Sequence, residues 1–298
     1  MSGFLGFLID GAMYAAWLFL IAVGLTLIFG VMRILNMAHG TFYAIGAYVA
    51  ATAGSWWLAT GNAPLAVYLV LIVAGIAAGI VLGAAVDQGL LQFMRGKDAT
   101  ILLLVTYALF LILEDAIKLV WGVDPYLVSE PYGMLGNFSV GPLSYPNYNL
   151  IVVFAAVLSG FALTYFLQFT RRGKMLRAVI HDAEMSQAVG IDVDRWFLVT
   201  FVAGTVLACL GGALVAPTIS VVPGMGVEVI VLMFAVVVIG GLGSIPGAAL
   251  GALLVGFVRA AAVHYWPEAE LFSIYGAMAL VLVVRPKGLF AAPEPRKI

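Results

Sequence analysis

Six apolar runs, each about 20 residues long and poor in charge, constrain this chain more than any other feature. They fall at about 10–30, 63–86, 99–121, 149–169, 196–216 and 226–243. A hydrocarbon core about 30 Å thick takes about 20 such residues in a helix, because each adds about 1.5 Å of rise. Backbone polar groups in lipid must be satisfied within the segment, so runs of this length read as helices. Three shorter or glycine-rich stretches, 40–54, 246–263 and 271–285, are further spans or re-entrant pieces. The expected fold is all-α: a polytopic membrane helix bundle of about eight or nine segments. It forms one transmembrane domain over 1–298, with a polar loop at 170–195 and an outer segment at 122–148.

Charge distribution sets the orientation. Only 10% of the 298 residues are charged, against roughly 25% in a soluble domain. The loop 170–195 holds five of the fourteen lysines and arginines. If it is cytoplasmic, alternation of the spans puts Arg33, Arg95, Lys97, Arg285, Lys287, Arg296 and Lys297 on the same side, twelve of fourteen in all. Lys118 and Arg259 fall near outer span ends, and 122–148 has no Lys or Arg. Nine crossings then leave the N-terminus outside and the C-terminus inside. The opening residues lack the basic flank of a signal peptide, so the first run is expected to stay as a span. The charges are not pooled on a patch, so nucleic acid is not an expected partner; membrane lipid is.

The loop contains a short helix. Asp182 caps its N-terminus, Met185, Ala188 and Val189 share one face, and Gly190 stands where a helix would end. Two turns with one apolar face are marginal in water, so this helix requires a surface to dock against. Elsewhere small residues recur every four positions: Gly75, Gly79 and Gly83; Gly204, Ala208 and Gly212; Gly243, Gly247 and Gly251. Such ridges let helices approach closely in lipid, and packing is their plain reading.

Few polar residues fall within the spans. Asn36 and His39, three apart, would share a helix face and bond either a neighbouring span or a ligand; Arg33 beside them reads as a positive-inside anchor. Glu114 and Lys118, four apart, suggest a local ion pair near an outer end. Glu228 suits the N-terminus of a helix, His181 reads as solvated, and the lone Cys209 as packing. The chain has no phosphate-binding GxxxxGK[ST], no HExxH and no G-x-S-x-G nucleophile spacing, so no enzyme or metal site is expected.

Three stretches together resemble the LivH-type permeases of bacterial branched-chain amino acid ABC importers: GLTLIFGVMRILNMAHGTFYAIGAYVA (24–50), LRAVIHDAEMSQAVGID (176–192) and VVVIGGLGSIPGAALGALLVG (236–256). The layout of spans is similar over essentially the whole chain. The resemblance implies an ABC importer permease fold in a bacterial inner membrane, with the N-terminus periplasmic. The implied partners are a LivM-like second permease, two cytoplasmic P-loop ATPases that bind the ATP, and a periplasmic solute-binding protein. It implies that the loop helix is the ATPase-coupling element, with Arg177, Asp182, Met185, Ala188, Val189 and Gly190 as its residues. It also moves Asn36 and His39 toward a role at the pathway or gate. Branched-chain amino acids are the implied substrates, with urea, amides or aromatic acids served by similar chains. A channel or an ion-coupled carrier for a small neutral solute is the alternative, although the span centres offer no carboxylate of the kind such carriers use.

Overall fold

The computed structural model describes residues 2–290; Arg296 and Lys297 lie outside the described residues. Nine long helices alternate in direction: α1 (Ser2–Met32), α2 (His39–Ala59), α3 (Val67–Gly89), α4 (Ala99–Trp121), α6 (Tyr148–Phe169), α9 (Val193–Val215), α10 (Met225–Gly240), α11 (Ile245–Tyr265) and α12 (Glu270–Val284). Three short helices join them: α5 (Glu130–Gly133), α7 (Arg171–His181) and α8 (Ala183–Ala188). The nine match the expected count of segments. Helix α1, at 31 residues, is about 46 Å long and exceeds the hydrocarbon thickness, so the apolar run seen at 10–30 understated it. Helix α10 has only 16 residues, too few to cross alone.

Helices α1 and α9 form the centre. Of the apolar window of α1, 78% is buried, against 11% for α6 and for α12. The outer helices accordingly show apolar side chains to their surroundings, including Val81, Leu119, Phe154, Phe161, Phe272 and Val283. In lipid that exposure has no hydrophobic penalty, and close contact between helices depends on small residues instead. Gly75, Gly79 and Gly83 lay α3 against α9; a Cβ at Gly75 would come within 2.8 Å of Ala213 and one at Gly83 within 2.9 Å of the Val202 backbone. Gly204 of α9 meets Ile28 and Gly24 of α1, while Gly212 meets the carbonyl of Tyr43 on α2. Gly247 and Gly251 seat α11 on Gly240 and Val236 of α10. Gly243 does not belong to that ridge. It precedes α11, has φ +81° and faces Gly30 of α1, because the chain must turn sharply between α10 and α11.

The two ends of the bundle differ. Ten of the twelve described lysines and arginines lie at the end holding the α3–α4 turn, α7 and α8. There Arg95 bonds the buried Asp87 at 2.7 Å and Asp194 at 2.5 Å, and its guanidinium lies 5.5 Å from the Phe197 ring centre. One side chain thus ties α3, its following turn and the start of α9. At the opposite end, segment 122–148 is more ordered than its composition suggested. Strands β1 (Asn137–Val140) and β2 (Leu143–Pro146) form an antiparallel hairpin about Gly141, whose φ is +62°. Tyr126 pairs with Val221, and the Tyr68 hydroxyl donates to the Pro131 carbonyl at 2.7 Å, so the segment caps the bundle.

Candidate functional site

The polar loop folds as two helices, of which the sequence reading contained one. In α7, Thr170 caps the first turn by accepting from Gly173 N–H at 2.9 Å. Gly173, Leu176 and Val179, three apart, are its buried residues, and Leu176 packs with Leu27 and Val31 of α1. Arg171, Arg172, Lys174 and Arg177 are exposed on its other sides. Helix α8 follows at once. The Asp182 carboxylate accepts from Met185 N–H at 2.8 Å. Gly190, at φ +88°, ends the turn: its N–H donates to the Gln187 carbonyl at 3.0 Å and Ile191 N–H to Ser186 at 2.9 Å. Both ends are therefore satisfied within the chain, as a helix terminus in a fixed position must be. Its face is not covered. Ser186 is the one buried residue of α8, while Met185 is 62% and Val189 70% exposed, and Ala188 is exposed beside them.

The second site is the connector between α1 and α2. Helix α1 stops at Arg33, whose φ of +56° is left-handed. Asn36 lies in the connector, so it does not share a helix face with His39 as the three-residue spacing suggested. It acts instead as a local cap: its Oδ1 accepts from Ala38 N–H at 3.1 Å and its carbonyl from His39 N–H at 3.3 Å. Thr106 of α4 holds the connector from the side, accepting from Met37 N–H and donating to Leu35, both at 3.3 Å. Asn36 and His39 are completely buried; the Asn36 Nδ2 has no hydrogen-bond partner among the described residues, and the His39 ring has only the backbone of Ile21 to bond. The His39 ring rests on Gly24 of α1, where a Cβ would come within 3.1 Å of it. Gly24 precedes the end of α1 by more than two turns, so the connector folds back by about 12 Å and α2 begins inside the bundle.

Helix α10 begins at the same place. Gly40 of α2 backs onto the Gly226 carbonyl, and a Cβ at Gly226 would lie 2.9 Å from the Gly40 carbonyl oxygen and 2.7 Å from Glu114. Glu114 Oε2 accepts from Gly224 N–H at 3.0 Å, just ahead of α10, and the residue is 6% exposed. A carboxylate at a helix N-terminus offsets the partial positive charge of the free N–H groups. This corrects the expected Glu114–Lys118 pair. Glu114 continues the buried series Leu102, Thr106, Phe110 on α4 and turns inward, whereas Lys118 bonds the exposed Asp115 at 2.9 Å. Two interrupted helices thus present their N-termini to one another across Gly40 and Gly226, an arrangement that occurs where protein covers irregular backbone at membrane depth.

A cavity of about 1080 Å³ opens toward the hairpin end between α1, α10, α11 and α12. Its walls are apolar and aromatic, with Trp17, Tyr43, Leu232 and Ile274 among them, and Asp10, Glu228, Arg259 and Glu270 bring charge. Arg259 is occupied, bonding Glu270 at 2.6 Å and lying 3.9 Å above the Tyr14 ring. Burial, with Asp10 beside it, raises the Tyr145 hydroxyl above its ordinary pKa at the nearby hairpin, so it stays a proton donor. Glu228 stands in the first turn of α10, as its position suggested. Asn36 and His39 do not line this cavity. The sequence reading missed it, since its walls come from eight helices and the 218–222 connector, which only the fold assembles.

Comparison with known proteins places these features. Residues 7–284 match the family described as branched-chain amino acid transport system permease component. The chain is 31% identical to the high-affinity branched-chain amino acid transport system permease protein BraD of Pseudomonas aeruginosa, covering 98% of this chain and 97% of that protein. It is 30% identical to LivH of Escherichia coli, covering 97% and 94%. It is 28% identical to the probable branched-chain amino acid transport permease LivH of Methanocaldococcus jannaschii, covering 96% and 90%. No solved structure matches.

Proposed function

The chain belongs to the branched-chain amino acid transport system permease family, and we propose from that premise how it works in the importer. It is the membrane permease subunit of an ABC importer. The substrates are branched-chain amino acids or closely related small solutes. A LivM-like second permease completes the path, two P-loop ATPases bind the ATP, and a solute-binding protein delivers substrate at the hairpin end. The basic end faces the cytoplasm, following the preference of Lys and Arg for that side, in a bacterial inner membrane.

One observation carries the coupling role. Helix α8 is capped at both ends, yet leaves Met185, Ala188 and Val189 uncovered. An apolar face on a polar loop suits a groove on a second protein, as in helix-in-groove recognition. Closure of the ATPases on ATP would then move α8, and through α7 the end of α1. The outer cavity is the entry, and the meeting point of α2 and α10 the constriction beneath it. Asn36 and His39 hold that point, and the unpartnered amide nitrogen of Asn36 is an expense that fits a second arrangement in which it gains a partner.

Reconstitution with the second permease, the ATPases and the binding protein tests this reading: leucine uptake should require ATP. Uptake that proceeds without ATP would replace the importer reading with a channel or a carrier. Within that assay Asn36→Leu should lower uptake severalfold while the ATPases still bind. Stability should change by no more than about 1 kcal/mol, since one hydrogen bond is lost and one buried unpaired amide is removed. Unchanged uptake would return Asn36 to a packing role.

A further inference from the structure

A second, smaller cavity of about 210 Å³ lies at the basic end, between the last turns of α1, the end of α6, α7 and the start of α11. Three of its lining residues are Arg33, Arg177 and His181, and no aspartate or glutamate lines it. These three side chains are little engaged elsewhere. Among the described residues the Arg33 guanidinium and the His181 ring have no hydrogen-bond or ion-pair partner, and Arg177 reaches only the Gln168 carbonyl, at 3.5 Å. Arg33 is also held at a cost. Its φ of +56° is the one positive value at a non-glycine among the described residues; the other ten belong to glycines. Glycine would take that conformation without the steric penalty of a Cβ, so an arginine there points to a use for its side chain.

We propose that this cavity binds the phosphate group of an anionic phospholipid, with Arg33, Arg177 and His181 as its donors. Two features favour a lipid over a free anion. The remaining walls include Leu27, Val31 and Leu167, which suit an acyl chain and offer a free phosphate nothing. Only 11% of the apolar window of α6, the helix that contributes Leu167, is buried, so the site adjoins the bilayer. Basic pockets between spans at the cytoplasmic side are where anionic headgroups bind. A bound phosphate would tie the end of α1 to α7, and so to the segment that carries α8.

The test uses the full chain in nanodiscs containing equal amounts of phosphatidylglycerol and phosphatidylcholine, released into a native mass spectrometer. Phosphatidylglycerol should be retained in preference to phosphatidylcholine, and excess inorganic phosphate should not displace it. Arg33→Gly, which relaxes the backbone, should keep or raise the thermal midpoint while weakening phosphatidylglycerol retention roughly fivefold. Arg177→Gln, on the exposed side of α7, should weaken it by a similar factor without touching the fold. Equal retention of the two lipids, or retention unchanged in both variants, would overturn the site. Displacement by inorganic phosphate would overturn the lipid assignment.

Discussion

Gly190→Arg is expected to insert and fold as the parent does, and to lose ATP-driven uptake. Gly190 is exposed, and no atom lies within 4 Å of where its Cβ would be, so the new side chain displaces nothing within the chain. The φ of +88° adds strain of about 1 kcal/mol. That is confined to the turn after α8. The larger effect is on the partner, because a long cation would stand at the edge of the face formed by Met185, Ala188 and Val189. A long charged side chain that keeps this face from seating costs about 2 kcal/mol or more, roughly a 30-fold drop in affinity for the ATPase. Co-sedimentation of the purified ATPase with membranes measures the affinity, and leucine uptake the consequence. Normal uptake by this variant would remove α8 from the coupling role.

Arg95→Leu should destabilise the bundle by about 3 kcal/mol, the usual cost of leaving a buried ion without its partner. The Asp87 side chain is 2% exposed and that of Arg95 17%, so water cannot replace the guanidinium. The second contact, to Asp194, is 72% exposed on its carboxylate side and contributes little. Thermal unfolding in mild detergent measures the loss. Asp87→Asn combined with Arg95→Leu should recover most of it, because the stranded charge is removed as well. A loss below about 1 kcal/mol in the single variant would show the pair behaving as a surface salt bridge.

The parts legible in the sequence were those fixed by local rules. Eight or nine apolar segments were legible from the length a membrane demands, and the cap of α8 from Asp182 and Gly190, each acting within four residues. Helix α7 was obscured: its buried residues, Gly173, Leu176 and Val179, are sparse among Arg and Lys, and its amphipathic character has meaning only against α1 and α6. The hairpin at 137–146 carried a signal in Gly141 and Pro142, hidden in a segment that reads as irregular and polar. Glu114 was misplaced because its partner is Gly224, 110 residues away, while Lys118 stood within one turn. Asn36 was assigned a helical spacing in a stretch that α1 leaves at Arg33. Gly243 fitted a four-residue ridge by arithmetic but serves the turn between α10 and α11. For α7, Glu114 and Gly243 a contact distant in sequence outweighed the local pattern.

Purification of this chain from its native membrane in mild detergent, with identification of what accompanies it, tests the central claim most directly. The account predicts a second membrane protein of similar size and two P-loop ATPases; with Gly190→Arg as the bait, the second membrane protein should remain and the ATPases should be lost. Recovery of the chain by itself or as a simple homo-oligomer, with no ATPase under any condition, would contradict it.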